Sequence, residues 1–172
     1  MLKYAKLYEN ELKQLFTEIA FDFHYKYAFV NVYRDELKLP ESTWEGHTFV
    51  SLHEEKIIGY IRYTICRQAG IVSGFQILSF QKEFPYTFSK DVATAIDDIF
   101  NRYGFHKLNF GVVIGNPIEK CYDRLIKRAG GRIVGVQEKE VRLIDGKYYD
   151  YKLYEIMAAN YPKEMMNGNK TD

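Results

Sequence analysis

Side chains that could carry chemistry are sparse in this chain of 172 residues. Cys66 and Cys121 have no second Cys or spaced His pair nearby, so they match no metal-binding motif, and we expect both to be buried thiols. Glu83 and His106 stand at the ends of predicted strands, where either could act as a general base. Such lone groups at strand ends are more often solvated surface residues. Both interpretations stay open from the sequence.

The elements that would position these groups alternate between strands and helices. Helical spacing of apolar residues predicts helices at 9–23, 24–34, 89–103 and 118–129. Ser89 is the expected cap of the third helix, and Gly104 its expected end. Alternating or continuous apolar runs predict strands at 2–8, 47–53, 57–66, 71–81, 107–114, 132–143 and 147–157.

This order predicts an α/β (α+β) domain with a largely antiparallel sheet. Its one strand–helix–strand crossover runs from 71–81 through the helix at 89–103 to 107–114, and Asp145-Gly146 marks a tight hairpin between the last two strands. We expect a single domain over 1–161 and a disordered tail at 162–172.

Composition excludes several functional classes. The chain has 24 Lys and Arg against 23 Asp and Glu, a balance that gives no electrostatic footprint for nucleic acid. No apolar run approaches the roughly 18 residues of a membrane span, and charged residues interrupt every apolar run near the start, so no secretory signal is expected. The sequence therefore favours a cytoplasmic protein with no metal, no nucleic-acid partner and no membrane partner.

The strongest motifs lie in the last third of the chain, which reads KLNFGVVIGNPIEKCYDRLIKRAGGRIVG and then DGKYYDYKLYEI. These are a strand, a loop with an Asn, a helix ending in Gly, and a long hairpin. With the preceding elements this order resembles the GNAT superfamily of N-acetyltransferases, convincingly at the level of motifs from about residue 56 onward. The resemblance implies a mixed, mostly antiparallel central sheet with helices on both faces and one parallel, splayed strand pair.

The resemblance also implies an activity. A GNAT enzyme transfers the acetyl group of acetyl-CoA, its co-substrate, to a primary amine by direct attack within a ternary complex. No covalent nucleophile is needed, so the lack of a Ser-His-Asp or Cys-His signature does not count against it. The acceptor would be a small-molecule amine or a protein N-terminus, and family habit implies a homodimer.

The family places the pantetheine arm of its cofactor in the gap between the two splayed strands, here 71–81 and 107–114. Backbone groups of Ile77, Leu78 and Ser79 would pair with this arm like an added strand, with the Leu78 amide facing the thioester oxygen.

Two further residues bear on this gap. Gly74 is the candidate bulge that splays the strands, or else a site of close packing. Asn116 resembles the family Asn that contacts the cofactor arm, and it could equally cap the following helix.

The family's glycine-rich pyrophosphate loop is missing, because the stretch from Gln81 to Ser89 contains no glycine. The amino end of the helix at Ser89, with Lys82 and Lys90, could still attract an anion. The missing loop keeps two alternatives open. One is a catalytically inactive GNAT-fold binding or scaffold module, and the other is a transferase that uses a different acyl-CoA donor.

The resemblance implies catalytic and acceptor residues as well. Tyr122, one turn before the family's acid position at Ile126, would protonate the leaving thiolate, and Glu83 would be the base; alternatively Tyr122 is a packing residue with a surface hydroxyl. A roof over the acceptor would be formed by the aromatic segment 23–33 and the loop at 38–46, with Trp44 and Glu45 as its contacts, although Trp44 could simply anchor its loop.

Overall fold

The structure is a computed structural model that describes residues 1–162 except 21, 29–36, 38, 41–42 and 82. Lys82, most of the predicted tail at 162–172 and the predicted helix beyond Ala28 therefore lie outside the described residues. No helix in the described ranges is long and apolar enough to cross a membrane.

A seven-stranded sheet forms the centre of the protein. Its strands are β1 Leu2–Tyr4, β2 Gly46–His53, β3 Lys56–Cys66, β4 Ile71–Ser79, β5 Lys107–Val113, β6 Arg132–Arg142 and β7 Tyr148–Met157. They are ordered β1-β2-β3-β4-β5-β7-β6, and every neighbouring pair is antiparallel except β4 and β5. The predicted mixed sheet with one parallel pair is confirmed.

Three α-helices cover the two faces of this sheet. They are α1 Glu9–Ile19, α2 Pro85–Asp97, which continues as one turn of π-helix over Asp98–Arg102, and α3 Glu119–Arg128. Short 3-10 turns occupy Ala5–Tyr8, Phe23–Ala28 and Ala158–Asn160.

The core is divided by the sheet into two buried clusters. Leu12 of α1 packs in one cluster, which includes Tyr60 of β3. Apolar residues of α2 and α3 pack in the other, which includes Ile61, the next residue of the same strand. Successive side chains of a strand point to opposite faces. The helices therefore lie on both faces, as predicted.

The start of α2 corrects a sequence-based prediction. Ser89 is predicted to cap the helix at 89–103, but this helix begins at Pro85 and Ser89 is its fifth residue. Proline is favoured at the first helical position because its missing N–H would have no partner there and its φ is already helical. The extra turn buries Phe88, whose ring lies on Gly59, where a Cβ would approach it to 2.2 Å.

The two thiols also differ from expectation, since both are exposed. Cys66 ends β3 and alternates with the buried Ile65, so its side chain points to solvent. Cys121 precedes the buried Tyr122 on α3 and faces outward, where Arg124 Nη2 lies 3.3 Å from its Sγ.

An ion triad around a buried carboxylate ties the last three strands of the sheet together. The Glu155 side chain of β7 is only 8% exposed, and its two oxygens lie 2.6 Å from Lys107 Nζ of β5 and 2.6 Å from Arg132 Nε of β6. These partners lower the pKa of Glu155, the Lys107 hydrogen bond most strongly. The triad holds β5 in place beside β7, which positions one wall of the cleft described below.

Candidate functional site

A bulge at Gly74 separates the two parallel strands. In the β3–β4 register, Thr64 pairs with Ser73 and Arg62 with Gln76, so Gly74 and Phe75 together stand opposite the single residue Tyr63. Gly74 has a φ of +63°, in the left-handed region that favours glycine. The nearest atom to a Cβ there would be Thr64 Oγ1 at 3.6 Å, so conformation and not close packing requires the glycine.

The bulge ends the pairing of β4 with β5. These strands pair only at Ile71 with Lys107 and at Val72 with Leu108. A bulged strand bends and twists more strongly than a regular one. Beyond Val72 the strands therefore diverge, and the gap expected from the resemblance is present.

A cleft of about 390 Å³ opens where the strands diverge. One wall is formed by β4 at Phe75–Leu78, and the other by β5 at Gly111–Val113. The Tyr151 ring lies across Gly111, where a Cβ would sit 2.4 Å from it, so glycine admits the ring to this wall. Asn116 and Tyr122 contribute from the chain that follows β5.

Three of the predicted cofactor-binding residues, Ile77, Leu78 and Asn116, line the cleft. Ser79 ends β4, and its exposed hydroxyl donates to the Gln81 carbonyl at 2.7 Å.

The strand pairing corrects the expected direction of the Leu78 amide. The Phe80 N–H donates to the Ile58 carbonyl at 3.0 Å, in the same register that pairs Leu78 with Tyr60. Backbone groups of alternate residues point to the same side of an antiparallel strand. The Leu78 amide therefore points to Tyr60, and those of Ile77 and Ser79 point towards the gap.

Asn116 shapes the turn that precedes α3, whose cap position is Ile118 and carries no side-chain cap hydrogen bond. Its Oδ1 accepts a hydrogen bond from the Ile118 N–H at 3.1 Å, just before α3. The Glu119 carboxylate accepts one from the Gly115 N–H at 3.1 Å. These contacts hold the start of α3 against the end of β5, with Asn116 at the rim of the cleft.

Tyr122 is both a packing residue and part of the cleft lining. It is 5% exposed, with its ring centroid 5.0 Å from Phe110 and 6.0 Å from Tyr154. No hydrogen bond joins its hydroxyl to another described residue. Burial raises the pKa of Tyr122, so the phenol keeps its proton at neutral pH. Ile126, at the family's acid position, is buried in the core.

Polar contacts to β7 set the position of α3 and hence of Tyr122. Lys152 pairs with Glu119, and its Nζ lies 3.4 Å from an Asp123 oxygen. The Tyr154 hydroxyl donates to Asp123 at 2.7 Å. These bonds lower the pKa of Asp123, the Tyr154 bond most strongly, so the carboxylate stays charged and the helix stays docked.

The segment Phe23–Ala28 closes one side of the cleft, and we call Tyr25, Lys26 and Tyr27 the clasp. The Tyr25 hydroxyl donates to the Phe80 carbonyl after β4 at 3.3 Å. The Lys26 Nζ donates to the Tyr149 hydroxyl of β7 at 3.1 Å, a bond that raises the pKa of Lys26. Tyr27 and Ala28 line the cleft. The described part of the predicted aromatic roof therefore spans the two diverging walls.

Trp44 and Glu45 do not line the cleft. The Arg67 guanidinium stacks on the Trp44 ring at 4.2 Å, and its Nε donates to the Trp44 carbonyl at 2.9 Å. The Glu45 carbonyl accepts from the Ile65 N–H at 2.7 Å. These contacts lie at the end of β3 remote from the gap, so the anchoring alternative describes what Trp44 does.

The remaining predicted residues that the structure describes do not line the cleft. Glu83 is exposed and does not line the cleft. Ser89 and Lys90 are exposed on α2, beyond its first turn.

Sequence reasoning missed the polar residues of β3 and β4 that line the cleft, Tyr60, Arg62 and Gln76. Arg62 was visible as a charged residue inside the apolar run IIGYIRYTIC, where alternation alone would have flagged it. Burial raises the pKa of Tyr60, and the adjacent Arg62 charge opposes that shift.

Comparison with known proteins gives a structural likeness only. No family model and no curated protein matches the chain. Spermidine N-acetyltransferase from Vibrio cholerae, in complex with CoA and spermine, superposes with a TM-score of 0.57 at 20% identity over 88% of this chain and 76% of that chain. RimJ from Mycobacterium smegmatis, in complex with CoA-disulfide, gives 0.57 at 16% identity over 69% and 56%. The chain therefore has the fold of the GNAT superfamily.

Proposed function

We propose that the protein is an N-acetyltransferase that moves the acetyl group of acetyl-CoA to a primary amine by direct attack in a ternary complex. The observation that carries this proposal is the cleft opened by the Gly74 bulge between β4 and β5. Two solved structures of the same fold contain CoA or CoA-disulfide. A function inferred from fold alone would be weak, so the support must come from the site itself.

The gap suits an extended amide-bearing arm. Ile77 and Ser79 direct backbone N–H and C=O groups into it, so a pantetheine arm would pair with β4 as an added strand. A gap-facing N–H beside the thioester oxygen would stabilise the negative charge that develops as the amine attacks. Apolar side chains of Ile77, Val112 and Val113 would exclude water from the reacting carbon.

The pyrophosphate of the co-substrate would lie at the amino end of α2. In the first turn of this helix, Tyr86 and Thr87 have N–H groups without helical partners, whereas Pro85 has none to offer. The predicted ligands Lys82, Ser89 and Lys90 would add to this end, with Lys90 supplying a charge one turn further along.

Tyr122 is the proposed proton donor to the leaving CoA thiolate. Its hydroxyl is protonated and has no competing partner among the described residues. None of the described residues that line the cleft is an Asp or a Glu. The amine would therefore lose its proton to water, and the exposed Glu83 stays the predicted base that accepts it.

Thermal stability with added ligand tests the proposal. At a hundredfold excess over its dissociation constant, acetyl-CoA should stabilise the fold by about 2.7 kcal/mol. Free CoA, longer acyl-CoAs and ATP are the comparison ligands. Selective stabilisation by acetyl-CoA supports the proposal, a preference for a longer acyl-CoA favours a different donor, and no effect of any CoA species favours the inactive binding module.

We also propose that the protein forms a homodimer through β6, the last strand of the sheet. This strand exposes Ile133 at 51%, Val134 at 53% and Val136 at 49%, on an edge where no further strand of the described residues pairs with it. Light scattering should give twice the mass of one chain, and Val134→Lys should reduce this mass to that of a single chain.

The cytoplasmic location predicted from the sequence stays a prediction.

A further inference from the structure

The charge in the cleft is unbalanced. Of its described lining residues only Arg62 carries a full charge, and no carboxylate lies among them. Arg62 forms no ion pair with any residue that the structure describes. An arginine on a protein surface presents a rigid fork of N–H donors that suits a carboxylate.

The register of β3 and β4 places this charge beside further polar groups. Arg62 pairs with Gln76, and the next pair that points to the same face is Tyr60 with Leu78. This is the face that α1 and the clasp cover, since Tyr60 packs with Phe16 of α1 at 5.2 Å between ring centroids. Tyr122 belongs to the cluster on the opposite face. An acceptor entering from the α1 side would therefore meet Arg62, Gln76 and Tyr60 before the thioester.

We propose that the acceptor is a primary amine that also carries a carboxylate, as an amino acid does, and that Arg62 binds this carboxylate. The inference rests on the proposed function and names its substrate class. The neutral amine nitrogen forms a bond to the acetyl carbon and the carbon–sulfur bond breaks. The amine releases one proton, the thiolate takes one up, and the products are an N-acetylated amino acid and free CoA.

The same charge disfavours a polyamine. A polyamine carries several positive charges and no carboxylate, so it would meet the like charge of the Arg62 guanidinium and no opposite charge among the described lining residues. Gln76 and Tyr60 would add neutral hydrogen bonds to the carboxylate that Arg62 holds.

The test measures CoA release from acetyl-CoA with matched amines. Alanine, phenylalanine and glutamate are supplied as free acids and as their amides, with spermidine and spermine as amines that lack a carboxylate. Amidation lowers the pKa of the adjacent amine and leaves more of it neutral, so intrinsic reactivity favours the amides. A preference for the acids would therefore report recognition. We expect kcat/KM to be higher for at least one acid than for its amide.

Substitution of Arg62 separates recognition from folding. Arg62→Gln should lower kcat/KM for the preferred acid by about 10- to 100-fold, the loss expected for a charged hydrogen bond, and lower kcat/KM for its amide by a clearly smaller factor. Arg62→Lys should restore part of the loss. Arg124→Gln is the matched control, because Arg124 is exposed on α3 and its hydrogen bonds to described residues stay within that helix.

The outcomes distinguish this inference from the proposed function. If acetyl-CoA does not stabilise the wild-type protein, the proposed function falls and the inference with it. If acetyl-CoA binds equally to wild type and Arg62→Gln, the proposed function stands. The ratio of kcat/KM for each acid to that for its amide then decides whether the inference holds. Turnover confined to amides or polyamines, turnover with no amine of the panel, or an Arg62→Gln variant that uses the acid as well as wild type would overturn it.

Discussion

Substitution of Gly74 tests the physical origin of the cleft. The φ of +63° at this position costs a residue with a Cβ about 1–2 kcal/mol. No steric term adds to this, because the nearest atom to the new Cβ would be 3.6 Å away. We therefore expect Gly74→Ala to lower the free energy of unfolding by about 1–2 kcal/mol, or the melting temperature by about 2–8 °C.

Two matched variants isolate this effect. Gly104→Ala removes a second left-handed glycine, with a φ of +69° and no atom within 4 Å of the new Cβ, so it should cost the same stability far from the cleft. Gly135→Ala in β6 also has open space, but its φ is not positive, so it should be nearly neutral. Gly74→Asn should cost less than Gly74→Ala, because Asn tolerates this conformation.

The functional consequence should be confined to Gly74. Loss of the bulge would relieve the strain, and a one-residue slip of β4 would exchange the faces of its later side chains, Gln76 and Ile77 among them. A strain of 1–2 kcal/mol shifts the equilibrium between the bulged and the slipped strand by about 5- to 30-fold. The affinity for acetyl-CoA should therefore weaken by up to that factor in Gly74→Ala and not in Gly104→Ala.

Urea unfolding and acetyl-CoA titration would measure the two effects. If Gly74→Ala were as stable as wild type while Gly104→Ala lost 1–2 kcal/mol, the claim that the bulge requires a left-handed residue would be refuted. If both lost stability equally and both bound acetyl-CoA as wild type does, the bulge would not control the cleft.

Three further predictions concern single side chains. Tyr122→Phe should reduce kcat by about 10- to 100-fold and leave the acetyl-CoA thermal shift unchanged, and a kcat equal to that of wild type would show that the hydroxyl is not the proton donor. Glu155→Gln should lower the free energy of unfolding by about 1–3 kcal/mol at pH 7. Because its partners lower the pKa of Glu155, their stabilisation of the wild-type protein is complete above pH 4.5 and is lost as the pH falls below that value. Urea midpoints measured from pH 6 to 3 should therefore fall less steeply in the variant than in the wild type. His47 is buried with Nδ1 2.8 Å from the Tyr63 hydroxyl, and burial lowers its pKa, with Arg67 adding to the shift. Stability should therefore decline as the pH drops below 6.5, and His47→Gln should remove that decline; an unchanged slope between pH 7 and 5 would contradict the assignment.

Element order was readable because local patterns and the fold agree. Helical and alternating periodicities report which side chains must be buried, and the Asp145-Gly146 turn reports a backbone conformation that few residues adopt. Gly74 could be flagged for the same reason. Each of these signals lies within a few residues of the feature that it predicts.

The incorrect predictions concern positions whose structure depends on contacts with distant segments of the chain. Ser89 has the type of a helix cap, but Pro85 and the packing of Phe88 on Gly59 extend the helix past it. Tryptophan is common in binding sites, but Arg67, which follows β3, stacks on the Trp44 ring and holds it away from the cleft. The amide direction at Leu78 depends on the register with β3, which periodicity within β4 does not contain.

The sequence by itself determined the α/β class, the crossover between β4 and β5, the glycine on which the bulge depends and the absence of a glycine-rich loop between β4 and α2. Only the tertiary structure decided that Tyr122, Asn116 and the clasp converge on one cleft, and that Arg62 enters it beside Tyr60 without an ion-pair partner among the described residues. The physical reason is that backbone preferences are local, whereas a binding site is formed by side chains that strand register and helix docking bring together from distant parts of the chain.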